Sequence, residues 1–175
     1  MGPAANEKED ENVLTLRPNE LDASQKLDGS GSGGMNDRMT GDTARLNVDV
    51  VQRTYEAVGR GDIPAVLDLM TDDVEWIFQG PPAIPFAGTR RGRGEVAEFF
   101  SLVGETLEFQ QFEPREFVAQ GDSVVVLGYE RNLITPTGRT FEQEWAHVYT
   151  LRVGKIAKAR FFEDTAAYVV AFDAA

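Results

Sequence analysis

A chain of 175 residues with 42% hydrophobic content has room for one well-buried core and not for two ordinary domains. Its 29 acidic residues outnumber 17 basic ones, for a formal net charge of −12, so it lacks the basic footprint that nucleic acid or an anionic membrane requires. With no cysteine and a single histidine, disulfides, thiolate chemistry and a histidine-rich metal site are excluded. No apolar run approaches the length of a membrane span, and the start, Gly2-Pro3 followed by acids, lacks the order of a signal peptide, so a cytoplasmic protein is expected.

Residues 1–34 differ in kind from the rest. Seven acids face three bases there, and the apolar content is limited to Val13, Leu14, Leu16 and Leu21, too little to offset chain entropy. The run Gly29-Ser30-Gly31-Ser32-Gly33-Gly34 before Met35 reads as a linker, which makes 1–34 a disordered acidic leader, either a tag peptide or an inert extension, and 35–175 the domain.

A helix is expected from Asp42-Thr43, through Leu46, Val50, Val51, Tyr55 and Val58, to the stop at Gly59-Arg60-Gly61. Asp62 and Pro64 open a short second helix that ends at Thr71-Asp72-Asp73. Val74 to Phe78 reads as a strand, Gly80 to Gly88 as a proline-stiffened loop, and Thr89 to Gly94 as its basic, flexible end. Glu95 to Leu107 forms a third helix. Four strands follow, 108–119, 123–133, 141–151 and 156–163, with hairpin turns between them, and Asp164 caps a closing helix over 166–172. The order implies an α+β plan with helices on one side of a curved sheet.

The third of these strands organises the functional reading. At the two-residue period it places Phe141, Gln143, Trp145, His147, Tyr149 and Leu151 on one face, bulky and aromatic, with the single histidine at its centre. A type I turn at Pro136-Thr137 with Gly138 left-handed would oppose Thr135 to Arg139, and hence Arg131 to Gln143, Tyr129 to Trp145 and Leu127 to His147. Glu130 would then face Glu144 on the other side. For the last strand, a three-residue turn at 152–154 puts Ala157, Ala159, Phe161 and Glu163 on the histidine's face, and a two-residue turn puts Lys158, Arg160 and Phe162 there; the first is expected, because it opposes small Ala159 to His147 and buries no lysine.

Val50-Val51-Gln52-Arg53, Gly61-Asp62, Thr71 to Trp76, Trp145 to Tyr149, Gly154-Lys155-Ile156 and Asp164-Thr165 together resemble the SnoaL-like, ketosteroid-isomerase-related branch of the NTF2-like superfamily. The resemblance spans roughly 42–172. It implies a cone-shaped α+β barrel whose curved antiparallel sheet and helices enclose one apolar pocket, with a small apolar molecule as partner and a homodimer as the common assembly. Relatives' machineries do not carry over intact. The steroid isomerase base falls at Phe78, its oxyanion tyrosine at Thr54 beside Tyr55, and its second donor at His147 or Ala146. In the epoxide hydrolase set, Arg131 is present, but the partner acids fall at Leu133 or Asn132 and at Phe161.

His147 remains as the candidate acid/base, because imidazole titrates near neutral pH, with Arg131 to orient an oxygen. Tyr55, Trp76, Phe78, Leu127, Tyr129, Gln143, Trp145, Tyr149, Phe161 and Glu163 are the expected pocket residues, with no metal and no cofactor. The expected activity is a cofactor-free isomerase, dehydratase or cyclase on a carbonyl compound; the alternative is a non-catalytic small-molecule binder or dimeric scaffold.

Overall fold

The computed structural model describes residues 34–173, with side chains from Gly41 onward. The leader expected over 1–34 lies outside the described residues apart from Gly34. Helix α1 spans Gly34–Gly59, so helical backbone starts eight residues before the Asp42 expected from capping signals. Its buried stripe is Val51, Thr54, Tyr55 and Ala57. α2, Ile63–Asp68, starts where the Asp62 carboxylate accepts from the Ala65 N–H and Pro64 occupies the first turn.

β1, Met70–Phe78, begins earlier than expected, so Asp72 and Asp73 sit in a strand rather than in the turn foreseen for them. The stretch expected to be a flexible loop end supplies β2, Gly88–Arg91, which pairs antiparallel with β1 from Phe78↔Gly88 to Glu75↔Arg91. α3 covers Gly92–Thr106 and buries Val96, Phe99 and Val103. Then come β3 (Leu107–Gln120), β4 (Ser123–Ile134), β5 (Arg139–Arg152) and β6 (Lys155–Phe162), and α4 (Thr165–Phe172) closes the described chain.

The six strands form one sheet in the order β2-β1-β6-β5-β4-β3, antiparallel except for the parallel β1–β6 pair, and curved without closing. Pro114 is tolerated in β3 because this is an edge strand. Helices cover the inner face. Among the described residues no helix is long and apolar enough to cross a membrane.

Two hairpins differ from expectation, with consequences for the site. Between β4 and β5, Gly138 is left-handed as expected (φ 69°), but its N–H bonds the Ile134 carbonyl. The loop therefore holds four residues, and Ile134, not Thr135, faces Arg139. This shift of one residue turns β4 over: Val126 opposes His147, Gly128 opposes Trp145 and Glu130 opposes Gln143. Between β5 and β6 the turn is the two-residue one, Val153-Gly154, with both φ values positive (52° and 71°). A bulge at Ala157, where Leu151 pairs with Ile156 but Thr150 with Lys158, restores Ala159 and Phe161 to the inner face. The face matches the expectation, whereas the partner of His147 is Phe161 instead of Ala159.

Candidate functional site

The alternation of β5 turns Gln143, Trp145, His147, Tyr149 and Leu151 inward, and all five are buried. In front of them, between the inner sheet face and α1, α3 and α4, lies a cavity of about 90 Å³. One water needs only about 10–15 Å³ measured this way, so the space admits a small organic group. Aromatic rings make up much of the wall, Trp76, Phe78, Phe99, Phe112 and Phe161 among them. Its polar atoms come from Tyr55, Tyr149, Tyr168, His147, Glu130, Glu163 and Thr54.

These polar groups form a connected chain. The Tyr149 hydroxyl donates to the Tyr55 hydroxyl at 2.9 Å, and Tyr55 lies 2.8 Å from His147 Nδ1. Tyr55 accepts from Tyr149, and donating to Nδ1 is what gives its own buried proton a partner. The imidazole proton therefore sits on Nε2, which donates to Glu163 Oε1 at 3.1 Å. Burial pulls His147 down to about 3, against the charge of Glu130, so the ring is neutral at pH 7.

Gln143 ties two acids together. Its Oε1 accepts the Asp164 backbone N–H at 2.8 Å, which turns its Nε2 toward the carboxyls. That nitrogen donates to Glu130 Oε1 at 2.5 Å and Glu163 Oε2 at 3.1 Å. Tyr168 adds a bond to Glu130 Oε1 at 3.0 Å. Asp164 also caps α4 by accepting from Ala166 and Ala167, so the start of that helix positions both the acids and Tyr168. Among the described residues no lysine or arginine lines the cavity. Burial raises Glu130 to about 7, helped by the charge of Glu163. Burial likewise raises Glu163 to about 7, against hydrogen bonds from Tyr168, Glu130 and Gln143. Tyr55 and Tyr149 are pushed above the usual phenol range, first by burial, so both stay protonated donors.

Behind this chain the rings are stacked. The Trp145 indole lies 3.9 Å from the His147 ring at 15°, and Phe112 lies 5.2 Å from Trp145 at 18°. The indole fits only because its cross-strand neighbour is Gly128: a Cβ there would come within 2.1 Å of Trp145 Cζ2. His147 is thereby held in plane from one side and by two hydrogen bonds along its edge.

Of the residues singled out from sequence, His147, Tyr55, Trp76, Phe78, Tyr149, Phe161 and Glu163 line one cavity. Gln143 joins them through Glu163, and Trp145 packs on His147. The turned-over β4 carries Leu127, Tyr129 and Arg131 to the opposite face. There Tyr129 donates to Glu142 at 2.8 Å and lies under the Arg115 guanidinium, while Leu127 and Arg131 are exposed. Arg131 thus has no access to a ligand beside His147, because a four-residue loop replaces the assumed three-residue one. Thr54, where the steroid isomerase tyrosine would fall, bonds its own helix at the Val50 carbonyl, and the neighbouring Tyr55 makes the contact to His147. Glu130, placed on the opposite face, and Tyr168 were not among the expected pocket residues. Two signals pointed to Glu130: the assumed register opposed it to Glu144, an unfavourable like-charge pair, and it left Trp145 without a glycine beside it.

A SnoaL-like domain model matches residues 51–159, more than half of the chain. The chain belongs to the SnoaL-like family. Solved structures agree on the NTF2-like fold of this SnoaL-like domain. An NTF2-like protein from Burkholderia xenovorans LB400 is 37% identical, with 74% of this chain and 98% of that one covered and a TM-score of 0.69. An NTF2-like protein from Burkholderia pseudomallei K96243 is 30% identical over 74% and 98%, TM-score 0.67. TerC, crystallised with polyporic acid, is 30% identical over 73% and 98%, TM-score 0.65. No curated protein matches the sequence.

Proposed function

We propose that this SnoaL-like domain binds a small, largely apolar carbonyl compound and moves a proton on it without a cofactor. The observation that carries this reading is the chain Tyr149-Tyr55-His147-Glu163 along the wall of an otherwise apolar cavity. In it, Glu163 takes the proton from carbon, since burial tunes it to about 7, near the ambient pH. Glu163 returns the proton it took, and His147 is its acid/base partner by holding the carboxylate through Nε2–H while Nδ1 accepts from Tyr55. As the C–H bond breaks, the electron pair moves onto the carbonyl oxygen. The Tyr55 and Tyr149 hydroxyls can donate to that charge only by turning from the bonds they make to Nδ1 and to each other. Trp76 adds another donor in the same wall, because its buried Nε1–H has no partner among the described residues. That TerC, 30% identical, was crystallised with polyporic acid supports a small organic ligand for this domain.

The test is hydrogen–deuterium exchange at the carbon next to the carbonyl of a bound cyclic ketone such as 2-tetralone, followed by proton NMR in D₂O. Exchange well above buffer, falling to background in Glu163→Gln and His147→Ala, is expected. A ketone that binds and shows no exchange would instead support the second reading, a non-catalytic binder. That reading is favoured by one observation, the internal satisfaction of His147 on both ring nitrogens. We infer also a homodimer, whose contact is the outer sheet face with half-exposed Val118, Leu127 and Phe162; sedimentation equilibrium checks it.

A further inference from the structure

The cavity holds one more acid than its proposed chemistry uses. Glu130 is 1% exposed, on the strand that turns it toward Gln143, and the same amide nitrogen bonds both it and Glu163. The two bonded oxygens therefore lie no further apart than two hydrogen bonds laid end to end. The groups that face this pair from each surrounding element are Tyr55 on α1, Gln143, His147 and Tyr149 on β5, and Tyr168 on α4. β1, β3 and α3 contribute only uncharged residues to the lining. Every titratable group here other than the two acids is neutral near pH 7: the phenols keep their protons and the imidazole carries one. Two carboxylates at this range, away from water and without a cation, cannot both be ionised cheaply.

The hydrogen bonds distinguish the two acids. Glu163 accepts on both oxygens, Oε1 from His147 and Oε2 from Gln143, as an ionised carboxylate does. Glu130 receives Gln143 and Tyr168 on the same oxygen, Oε1, which leaves Oε2 to bear a proton. We propose that Glu130 is the positioning residue of this site: it and Glu163 hold one proton between them at neutral pH, and the proton kept by Glu130 poises Glu163 to take up and return another. The inference rests on the proton-transfer reading above for its purpose, but not for its measurement. The pair changes from one negative charge to none when Glu163 accepts the substrate proton, and returns to one when it gives that proton back. Glu130 touches no reacting atom.

The experiment is carbon-13 NMR of the full chain with glutamate labelled at the side-chain carboxyl, titrated from pH 4 to 9 without ligand. In the unmodified protein, one signal of the Glu130 and Glu163 pair should keep its protonated position at pH 7 and lose it only at higher pH, and the two curves should be coupled. In Glu130→Gln, which keeps the size and stands in for the protonated acid, Glu163 should titrate in a single step near the lower of the two steps of the unmodified protein, and the higher step should disappear. Both carboxyls ionised by pH 6 in the unmodified protein would overturn the proposal, as would a higher step that survives in Glu130→Gln. If that variant does not fold, the unmodified titration decides alone, by whether one proton remains at pH 7. A shared proton without any ketone exchange would leave this inference standing and remove the catalytic reading. Exchange with both carboxyls ionised would do the reverse.

Discussion

Two sets of acids on the same sheet meet opposite fates. On the outer face and rim, Glu75 lies 2.9 Å from Lys158 and 2.5 Å from Arg91, and Asp73 pairs with Arg152. Glu75 is drawn below the usual carboxylate range first by the bond from Lys158, and Asp73 first by the bond from Thr71 and then by that from Arg152. On the inner face, Glu130 and Glu163 have no cation and are pushed up to about 7 by burial. The side chain chemistry is shared; the difference lies in which face of a strand the residue occupies. An acid that water and a cation can reach contributes little to folding and stays charged. One enclosed with a second acid becomes a group whose protonation is in question near pH 7, which is what proton transfer needs.

Breaking the inner arrangement should matter far more than breaking the outer one. Gly128→Ala is expected to have the largest effect, about 3 kcal/mol of stability, because the new methyl group would occupy the place of the Trp145 indole. Urea denaturation measures the loss, and near-ultraviolet circular dichroism should show Trp145 displaced. Gln143→Leu comes next, at about 2 kcal/mol, since it leaves two carboxyls and the Asp164 N–H without their partner. The loss should be greater at pH 8 than at pH 5, where the carboxyls are protonated.

The third expectation concerns slope. Folding raises Glu130 and Glu163 from 4.5 to about 7, so between those values the folded state holds protons that the unfolded chain has released. Stability from this pair is present below about pH 4.5 and is lost as pH rises toward 7. His147 acts in the opposite sense: lowered from 6.5 to about 3, it contributes stability above 6.5 that is lost as pH falls. The melting temperature of Glu130→Gln relative to the unmodified protein should therefore climb as pH goes from 4.5 to 7. The smallest effect belongs to the outer face. Glu75→Gln should leave the melting temperature nearly unmoved between pH 6 and 8, and a large shift there would break the contrast between the faces.

Much of this architecture is legible in the sequence. Caps at Asp62 and Asp164 and the alternation of β5 carry enough local information to locate the helices and the inward face of His147. β4 is a different case. Its two faces, Val124-Val126-Gly128-Glu130 and Val125-Leu127-Tyr129-Arg131, are similarly apolar, so only the loop length decides which turns inward. Thr135-Pro136-Thr137-Gly138 is compatible with either length. That single ambiguity exchanged Arg131 for Glu130, a cation for an acid, and with it the electrostatic character inferred for the cavity. β2 was missed for a related reason: Thr89-Arg90-Arg91 is polar, and its strand form comes from pairing with β1 rather than from its own pattern.

The extra residue at Ala157 gives the last hairpin a property of its own. Were the two-residue turn followed by an unbroken ladder, Lys158 and Arg160 would turn toward Glu130 while Phe161 and Glu163 turned away, and the cavity would hold an ordinary ion pair. The character of the enclosed acids is thus decided by a count of residues, outside the cavity, rather than by any side chain within it. Removing Ala157 would regularise the ladder and leave the inward set Ile156, Ala159 and Phe161 as it is, because Leu151↔Ile156 and Thr150↔Lys158 already alternate correctly. Lengthening the same strand by one residue beyond Lys158 would exchange its faces. Length changes in this hairpin are therefore a route by which related sequences could trade a proton-handling interior for a salt-bridged one without altering a single residue of α1, β4 or β5.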